Sequence, residues 1–126
     1  MKKIWIVDDD EEMAKAIQLM LKMLDYETRH FFNARSGAQA LLEVKRPDLL
    51  ILDINMPEVS GLDMLEFVRR RKEWNDMPVI MLSSEASDVQ VDKALSLGAD
   101  AYAFKPVMLD ELEAALNKAF IKHQVQ

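Results

Sequence analysis

The sequence comprises 126 residues, of which half are hydrophobic and 30% are charged, and this composition excludes a mainly disordered chain. Its length accommodates one globular domain with a core of its own. The absence of cysteine excludes disulfides, thiolate metal sites and a cysteine nucleophile, and a formal net charge of −6 disfavours binding to nucleic-acid phosphates. No segment has the pattern of a secretory signal or a membrane span, so we expect a cytoplasmic protein.

Five short apolar segments rich in β-branched residues alternate with five segments of helical spacing. The apolar segments predict strands over 4–7, 27–32, 49–54, 78–82 and 101–104, with the weakest signal at 27–32. Apolar residues at helical spacing predict helices over 13–24, 36–45, 61–73, 87–97 and 109–120. This alternation predicts an α/β domain in which helices cover both faces of a doubly wound parallel sheet.

Polar side chains follow four of the predicted strands at the point where each strand ends. In a sheet of this kind, ligands bind at the carboxyl ends of the strands, so these side chains should meet at one rim. They comprise three carboxylates, a hydroxyl and an ammonium group: Asp8, Asp9, Asp53, Ser83 and Lys105.

Three neighbouring carboxylates need a cation, because two unit charges about 4 Å apart repel by roughly 4 kcal/mol at an effective dielectric constant near 20. Hard oxygen ligands without histidine or cysteine indicate Mg²⁺, which would also take a substrate phosphate oxygen. The pattern therefore indicates phosphoryl transfer. Asp53, at the end of the central apolar segment, is the predicted acceptor, and Lys105 and Ser83 are suited to neutralise the phosphoryl oxygens.

The chain resembles the receiver domain of two-component response regulators over essentially its whole length. Five motifs in the expected order carry the resemblance: 6–9 (IVDD), 52–57 (LDINMP), 60–62 (SGL), 82–84 (LSS) and 98–106 (GADAYAFKP). The resemblance implies a single flavodoxin-like (βα)5 domain over 1–126, with strand order 2-1-3-4-5 and no output domain.

The resemblance also assigns roles to the rim residues. Asp53 would be the phosphoacceptor and a ligand of Mg²⁺ or Mn²⁺. Asp9 would bind the metal directly, Asp8 through a water molecule, and Asn55 through its backbone carbonyl.

Three positions are implied to respond to the phosphoryl group. Lys105 would pair with the acceptor carboxylate and then with the phosphoryl group, its approach set by a cis bond to Pro106. Ser83 resembles the hydroxyl that swings toward the phosphoryl oxygen. Tyr102 resembles the aromatic residue that follows it inward and alters the surface of the fourth helix, fifth strand and fifth helix.

By the same resemblance, the protein is a switch that catalyses its own phosphorylation and dephosphorylation, and is not a metabolic enzyme. Its phosphoryl donor would be a histidine kinase or histidine phosphotransfer protein, and its target a downstream protein or output domain. It would be a monomer or a weak phosphorylation-dependent dimer. Asn55 and Glu85 occupy positions that tune hydrolysis, and their polar side chains favour a short-lived phosphoryl group.

Two alternatives remain open from the residues. A pseudo-receiver would use the fold for docking without phosphorylation, but the acceptor, metal and switch residues are all present. An aspartate-nucleophile phosphatase often carries a second acid two residues after the nucleophile, and Asn55 occupies that position here.

Other conspicuous residues receive structural interpretations. The basic run 69–72 is interpreted as a solvated helix end, because cations favour the last turn of a helix. Trp5 lies on a predicted strand and is expected in the protein core, and Trp74 is expected to pack at a helix end. No role is assigned to His30 or His123.

Overall fold

The computed structural model describes residues 1–85 and 87–123, so residues 86 and 124–126 of the predicted domain lie outside the described residues. Five strands alternate with five helices along this chain. The strands are β1 (Lys3–Val7), β2 (Glu27–Phe31), β3 (Leu49–Asp53), β4 (Val79–Ser83) and β5 (Ala101–Phe104). The helices are α1 (Glu11–Met23), α2 (Ala34–Glu43), α3 (Gly61–Arg69), α4 (Asp88–Ser96) and α5 (Leu109–Lys122).

The five strands form one parallel sheet in the order β2-β1-β3-β4-β5, which confirms the predicted flavodoxin-like fold. β3 lies at the centre, and all of its residues and all of those of β4 are buried. The register pairs Asp53 with Leu82 and Ser83 with Phe104. Because the strands are parallel and in this register, the residues that follow β1, β3, β4 and β5 emerge along one edge of the sheet.

Two apolar cores lie on opposite faces of the sheet. Successive side chains of a strand point to opposite faces, and β3 illustrates this alternation. Leu50 and Leu52 belong to the core beneath α2, α3 and α4, whereas Leu49 and Ile51 belong to the core beneath α1 and α5. Trp5 lies in the first core, as expected. Burial on both faces explains why the central strands read as continuous apolar runs.

The loop that follows β3 returns closely over the end of that strand. Ser60 caps α3 in a reciprocal capping box with Asp63. The amide of Gly61 donates a 3.0 Å hydrogen bond to the carbonyl oxygen of Ile54. A Cβ atom at Gly61 would lie 2.1 Å from the carbonyl oxygen of Asp53, so only glycine fits this approach.

Most predicted elements match the structure to within a few residues, but the end of α3 was predicted wrongly. The helix ends at Arg69 instead of reaching residue 73, and a turn follows in which Trp74 is buried. The prediction that Trp74 packs is confirmed, although it does not lie at a helix end. Of the nine residues of α4, all of them described, only Ala94 is buried. None of the helices in the described chain is long and apolar enough to cross a membrane.

Candidate phosphoryl-acceptor site

Three carboxylates meet at the carboxyl-terminal rim of the sheet. Asp8 and Asp9 follow β1, and Asp53 ends β3. One carboxylate oxygen from each lies within 4.8 Å of the other two, and no other such cluster of acidic, histidine or cysteine side chains occurs among the described residues. Asp8 and Asp53 are buried, whereas Asp9 is exposed. The acidic rim formed by Asp8, Asp9 and Asp53 is therefore closed by protein on one side and open to solvent on the other.

The ammonium group of Lys105 bridges the two buried acids of the acidic rim. Its Nζ lies 3.1 Å from Oδ2 of Asp8 and 3.3 Å from Oδ1 of Asp53. Lys105 follows β5, and its peptide bond to Pro106 is cis. The side chain of Lys105 is only 15% exposed, so both ion pairs are shielded from water and from salt.

The charges in the acidic rim change the protonation of its members. The pKa of Asp53 is raised to about 7: burial contributes most, the negative charge of Asp8 adds to it, and Lys105 opposes both effects. Burial lowers the pKa of Lys105, but the carboxylates of Asp53 and Asp8 outweigh burial and hold that pKa above its usual value. Lys105 is thus charged at neutral pH, whereas Asp53 needs a further cation to be fully ionised.

The acidic rim fits a hard divalent cation by the chemistry of its donors. All of them are oxygens, and Mg²⁺ prefers one or two carboxylates together with water and phosphate oxygens. Oδ2 of Asp8 is buried and has no hydrogen-bond donor among the described residues, because the Lys105 contact lacks hydrogen-bond geometry. Oδ1 of Asp8 accepts a 2.9 Å hydrogen bond from the amide of Asp10, which fixes the carboxylate beside β1.

The hydroxyl of Ser83 lies at the end of β4, next to β3. Ser83 is fully buried, and its Oγ accepts a 2.9 Å hydrogen bond from the amide of Glu85. Tyr102 of β5 is half-buried, and its hydroxyl donates to the carbonyl oxygen of Glu85 at 3.4 Å. The Glu85 backbone therefore joins Ser83 to Tyr102. Asn55 lies two residues beyond the end of β3 and is exposed.

His30 contacts the acidic rim through the backbone. Its Nε2 lies 2.7 Å from the carbonyl oxygen of Asp8, so that nitrogen carries the donated proton. The ring of His30 lies 4.4 Å from that of Phe32, between centroids. The contact arises because β2 pairs with β1 and places His30 opposite Ile6, a register that the sequence does not reveal.

The basic run at the end of α3 is not the uniformly solvated helix end predicted for residues 69–72. Arg69 is half-buried and donates to the carbonyl oxygens of Trp74, Met77 and Gly98. Its guanidinium also pairs with the buried Asp100 at 3.0 Å. Three carbonyls and a carboxylate thus draw this side chain into the fold, at the end of the sheet opposite the acidic rim.

The other members of the run differ in burial: Arg71 is half-buried and stacks over the Trp74 ring at 4.9 Å, whereas Lys72 is exposed. Arg70 is exposed and pairs with Glu66 one turn earlier, as expected of a solvated position. His123, to which the sequence assigned no role, lies with Nε2 2.9 Å from Oδ2 of Asp100 at the end of α5. Asp100 therefore ties the ends of α3 and α5 to the start of β5.

The chain matches the family model described as the response regulator receiver domain over residues 4–117. It is 33% identical over 125 residues to the KDP operon transcriptional regulatory protein KdpE of Escherichia coli, covering 98% of this chain and 53% of that protein. The chain thus belongs to the response regulator receiver domain family, whose members act as phosphorylation-activated switches in two-component signalling. It spans about half the length of the curated relatives it matches.

Solved structures agree with this assignment. A putative response regulator from Chloroflexus aurantiacus superposes with a TM-score of 0.90 at 26% identity, covering 95% of this chain and 98% of that one. The chemotaxis response regulator CheY4 of Vibrio cholerae superposes with a TM-score of 0.85 at 27% identity, covering 94% and 98%. The fold and the family predicted from the sequence are confirmed.

Proposed function

We propose that Asp53 accepts a phosphoryl group from a phosphohistidine on a histidine kinase or histidine phosphotransfer protein. A carboxylate oxygen of Asp53 attacks the phosphorus, the phosphorus–nitrogen bond breaks, and the imidazole leaves with the bonding electrons. The observation that carries this proposal is the single ammonium of Lys105 held against both Asp8 and Asp53, at the meeting point of three strands.

Lys105 and Ser83 stabilise the phosphoryl group once it is attached. The ammonium of Lys105 leaves its ion pair with the acceptor carboxylate and binds a phosphoryl oxygen, which preserves charge balance in the buried site. Ser83 exchanges its hydrogen bond from the Glu85 amide for one donated by its own hydroxyl to a second oxygen. The side chains that now neutralise Asp53 thus neutralise its phosphorylated form.

The acidic rim holds Mg²⁺ or Mn²⁺ during the transfer. Asp9 and Asp53 supply direct carboxylate ligands, Asp8 acts through a water molecule, and Asn55 supplies its backbone carbonyl. When bound, the metal neutralises charge on the phosphoryl oxygens. The burial of Asp8 and Asp53 beside a single ammonium and the raised pKa of Asp53 support this assignment, because both features leave the rim short of positive charge.

Phosphorylation shifts an existing equilibrium between inactive and active arrangements. Rotation of the Ser83 hydroxyl toward the phosphoryl group frees the Glu85 backbone, to which the Tyr102 hydroxyl is bonded. Tyr102 then turns inward and alters the surface of α4, β5 and α5. The partners that read this surface are a downstream protein or an output domain, in the cytoplasm.

The phosphoryl group is short-lived on this proposal. Asn55 and Glu85 have exposed side chains near the acceptor, where their polar groups can orient an attacking water. The domain thereby catalyses both its own phosphorylation and its own dephosphorylation, and turns over no separate substrate.

The test is incubation with acetyl phosphate and Mg²⁺, with and without EDTA, followed by intact mass measurement. We expect one added phosphoryl group that requires both the metal and Asp53. Asp53→Asn should gain none, while Asp92→Asn, which changes an exposed acid on α4, should match the parent.

A null result in that experiment needs one companion measurement, because rapid hydrolysis removes the adduct. Beryllofluoride binding, followed by amide chemical shifts, reports the acceptor site without turnover. Absence of both the adduct and beryllofluoride binding would overturn the proposal in favour of a docking module. Turnover of p-nitrophenyl phosphate by the parent and not by Asp53→Asn would favour a phosphatase instead.

A further inference from the structure

A second concave surface lies at the other end of the sheet from the acidic rim. It is a groove of about 1100 Å³ along the edge strand β2, bounded by α1 and by the end of α2. Lys3 and Glu27, which begin β1 and β2, line it, whereas the acidic rim lies at the opposite ends of the strands. We call this surface the β2 groove.

The β2 groove contains main-chain groups without a strand partner. β2 pairs with β1 alone and is therefore an edge of the sheet. The Glu27 amide and the Phe31 carbonyl bond toward β1. Because alternate residues of a parallel strand direct their backbone groups to opposite sides, the amides and carbonyls of Thr28 and His30 face the open edge. Such an edge is a template for another extended chain.

Apolar side chains flank the open edge on both faces of the strand. On the α1 side, Leu19 is 65% exposed although it lines the groove. On the other side lie Trp5 and Val44, and Val44 is 49% exposed. Arg29 stacks over the Trp5 ring at 5.5 Å, so its charged group lies directly above an apolar floor. Both faces can thus accept apolar side chains beside acidic ones.

The charge of the β2 groove opposes that of the whole chain. The chain carries a formal net charge of −6, yet cations outnumber acids among the groove residues. The acids are Asp25 and Glu27, and the cations are Lys3, Lys15, Lys22, Arg29 and Lys45. All seven side chains belong to exposed residues and can meet an incoming group, although Lys15 also pairs with Glu11 at 3.3 Å.

We propose that the β2 groove binds an extended acidic segment of a partner protein, which adds to the sheet as a strand beside β2. Main-chain hydrogen bonds to Thr28 and His30 supply affinity, and acidic side chains that meet the surrounding cations supply specificity. This inference goes beyond the proposed phosphoryl switch, because it concerns the open edge of β2 and does not depend on Asp53.

Charge also distinguishes this occupant from the alternatives. A second copy paired edge to edge would bring the cations of two grooves together, and like charges across an interface are repulsive. A nucleic acid would carry the favoured sign at the groove but would face repulsion from the remainder of an acidic domain. An extended acidic peptide is small enough to contact only the cationic groove and not the rest of the acidic domain. It also supplies hydrogen-bond partners for the unpaired amides and carbonyls of β2.

The test uses two eight-residue peptides, one alternating glutamate with valine and one alternating lysine with valine, titrated into the ¹⁵N-labelled protein. We expect only the glutamate peptide to bind, with the largest amide shifts at Thr28 and His30 and weaker binding at higher salt. N-methylation of the peptide along its bonding edge should remove binding. Equal binding of both peptides, no binding of either, or shifts confined to other surfaces would overturn the proposal.

A charge-reversed pair provides the matched control. Lys22→Glu with Lys45→Glu reverses two groove charges and should weaken glutamate-peptide binding at least tenfold, whereas Lys93→Glu with Lys118→Glu makes the same change on α4 and α5 and should not. Equal losses of peptide affinity in the two charge-reversed variants would overturn the assignment of the β2 groove as the binding site. If duplex DNA or phosphatidylserine vesicles bound to the groove in preference to the peptide, the proposal of an acidic peptide as the ligand would be overturned.

The acetyl phosphate reaction of the same samples separates this proposal from the proposed function. Both charge-reversed pairs should gain the phosphoryl group as the parent does. Loss of peptide binding with normal phosphorylation therefore concerns the β2 groove alone, and failure of phosphorylation in the parent concerns the acceptor site alone.

Discussion

His30 Nε2 lies 2.7 Å from the carbonyl oxygen of Asp8, which couples the edge strand β2 directly to the acidic rim. The donated proton holds the peptide unit between Asp8 and Asp9, and both of these residues are proposed metal ligands. The histidine side chain would therefore orient the proposed metal site without being a ligand itself, in the way that outer hydrogen bonds commonly orient ligands.

Loss of this hydrogen bond should weaken metal binding. His30→Phe retains an aromatic ring beside Phe32 but cannot donate to Asp8. A hydrogen bond of this type contributes about 0.5–1.5 kcal/mol, so we expect the Mg²⁺ concentration for half-maximal phosphorylation to rise about 2- to 10-fold. The measurement is the acetyl phosphate reaction across a Mg²⁺ titration. His30→Gln, whose amide can donate, should recover part of the Mg²⁺ affinity. If His30→Gln and His30→Phe needed the same Mg²⁺ concentration, that result would argue against the hydrogen bond.

Removal of the buried guanidinium should cost far more stability than removal of its neighbour. Arg69→Met leaves the buried Asp100 carboxylate without its guanidinium partner and leaves three carbonyls without their donor. We expect a loss of about 3–5 kcal/mol in the free energy of unfolding. Arg70→Met breaks an exposed pair and should change stability by less than about 0.5 kcal/mol. Urea denaturation measures both, and similar midpoints would contradict the buried network.

Stability should depend on pH through Asp53. Its folded-state pKa, about 7, lies above its ordinary value, so the protonated form favours folding and that stabilisation is lost as pH rises through 7. Asp53→Asn cannot ionise and should exceed the parent in stability at about pH 8, by an amount that shrinks toward about pH 5. Denaturation at both pH values checks the sign. Mg²⁺ at pH 8 should stabilise the parent more than Asp53→Asn. A stability difference between the two proteins that did not change with pH or with Mg²⁺ would contradict the charge argument.

The close approach of α3 to the acceptor strand should not tolerate a methyl group. In Gly61→Ala the new Cβ would meet the Asp53 carbonyl at 2.1 Å, so the backbone must move. We expect a loss of about 2 kcal/mol or more, together with slower phosphorylation. Gly37→Ala is the control, because its Cβ would meet side-chain atoms only, those of Val7 and Met64 at 3.0 and 3.2 Å, and not the backbone. Equal stability of the two variants, measured by urea denaturation, would contradict the steric argument.

The sequence predicts those parts of the fold that depend on local pattern. β3 and β4 are apolar on both faces, and Asp53, Ser83 and Lys105 follow strands whose carboxyl ends must share one edge. Strand order was obtained from the family resemblance, because periodicity alone does not specify which strands are neighbours.

Contacts between distant residues account for what the sequence did not predict. The basic run 69–72 continues a helical pattern, but the helix ends at Arg69 because that side chain binds carbonyls in the following turn and beyond β4. β2 gave the weakest strand signal because an edge strand alternates exposed and half-buried residues. The role of His30 depends on the β1–β2 register, which carries no local signature.

Helix α4 buries only Ala94 among its nine described residues. It should therefore open locally at a lower free energy than the central strands. Few buried contacts oppose its separation from the sheet, whereas release of β3 requires the disruption of both cores. In deuterated water the amides of α4 should therefore exchange by local fluctuations, and those of β3 only by global unfolding. The chain thus combines a central strand, β3, that is buried in both cores with a helix, α4, that few buried contacts hold against the sheet.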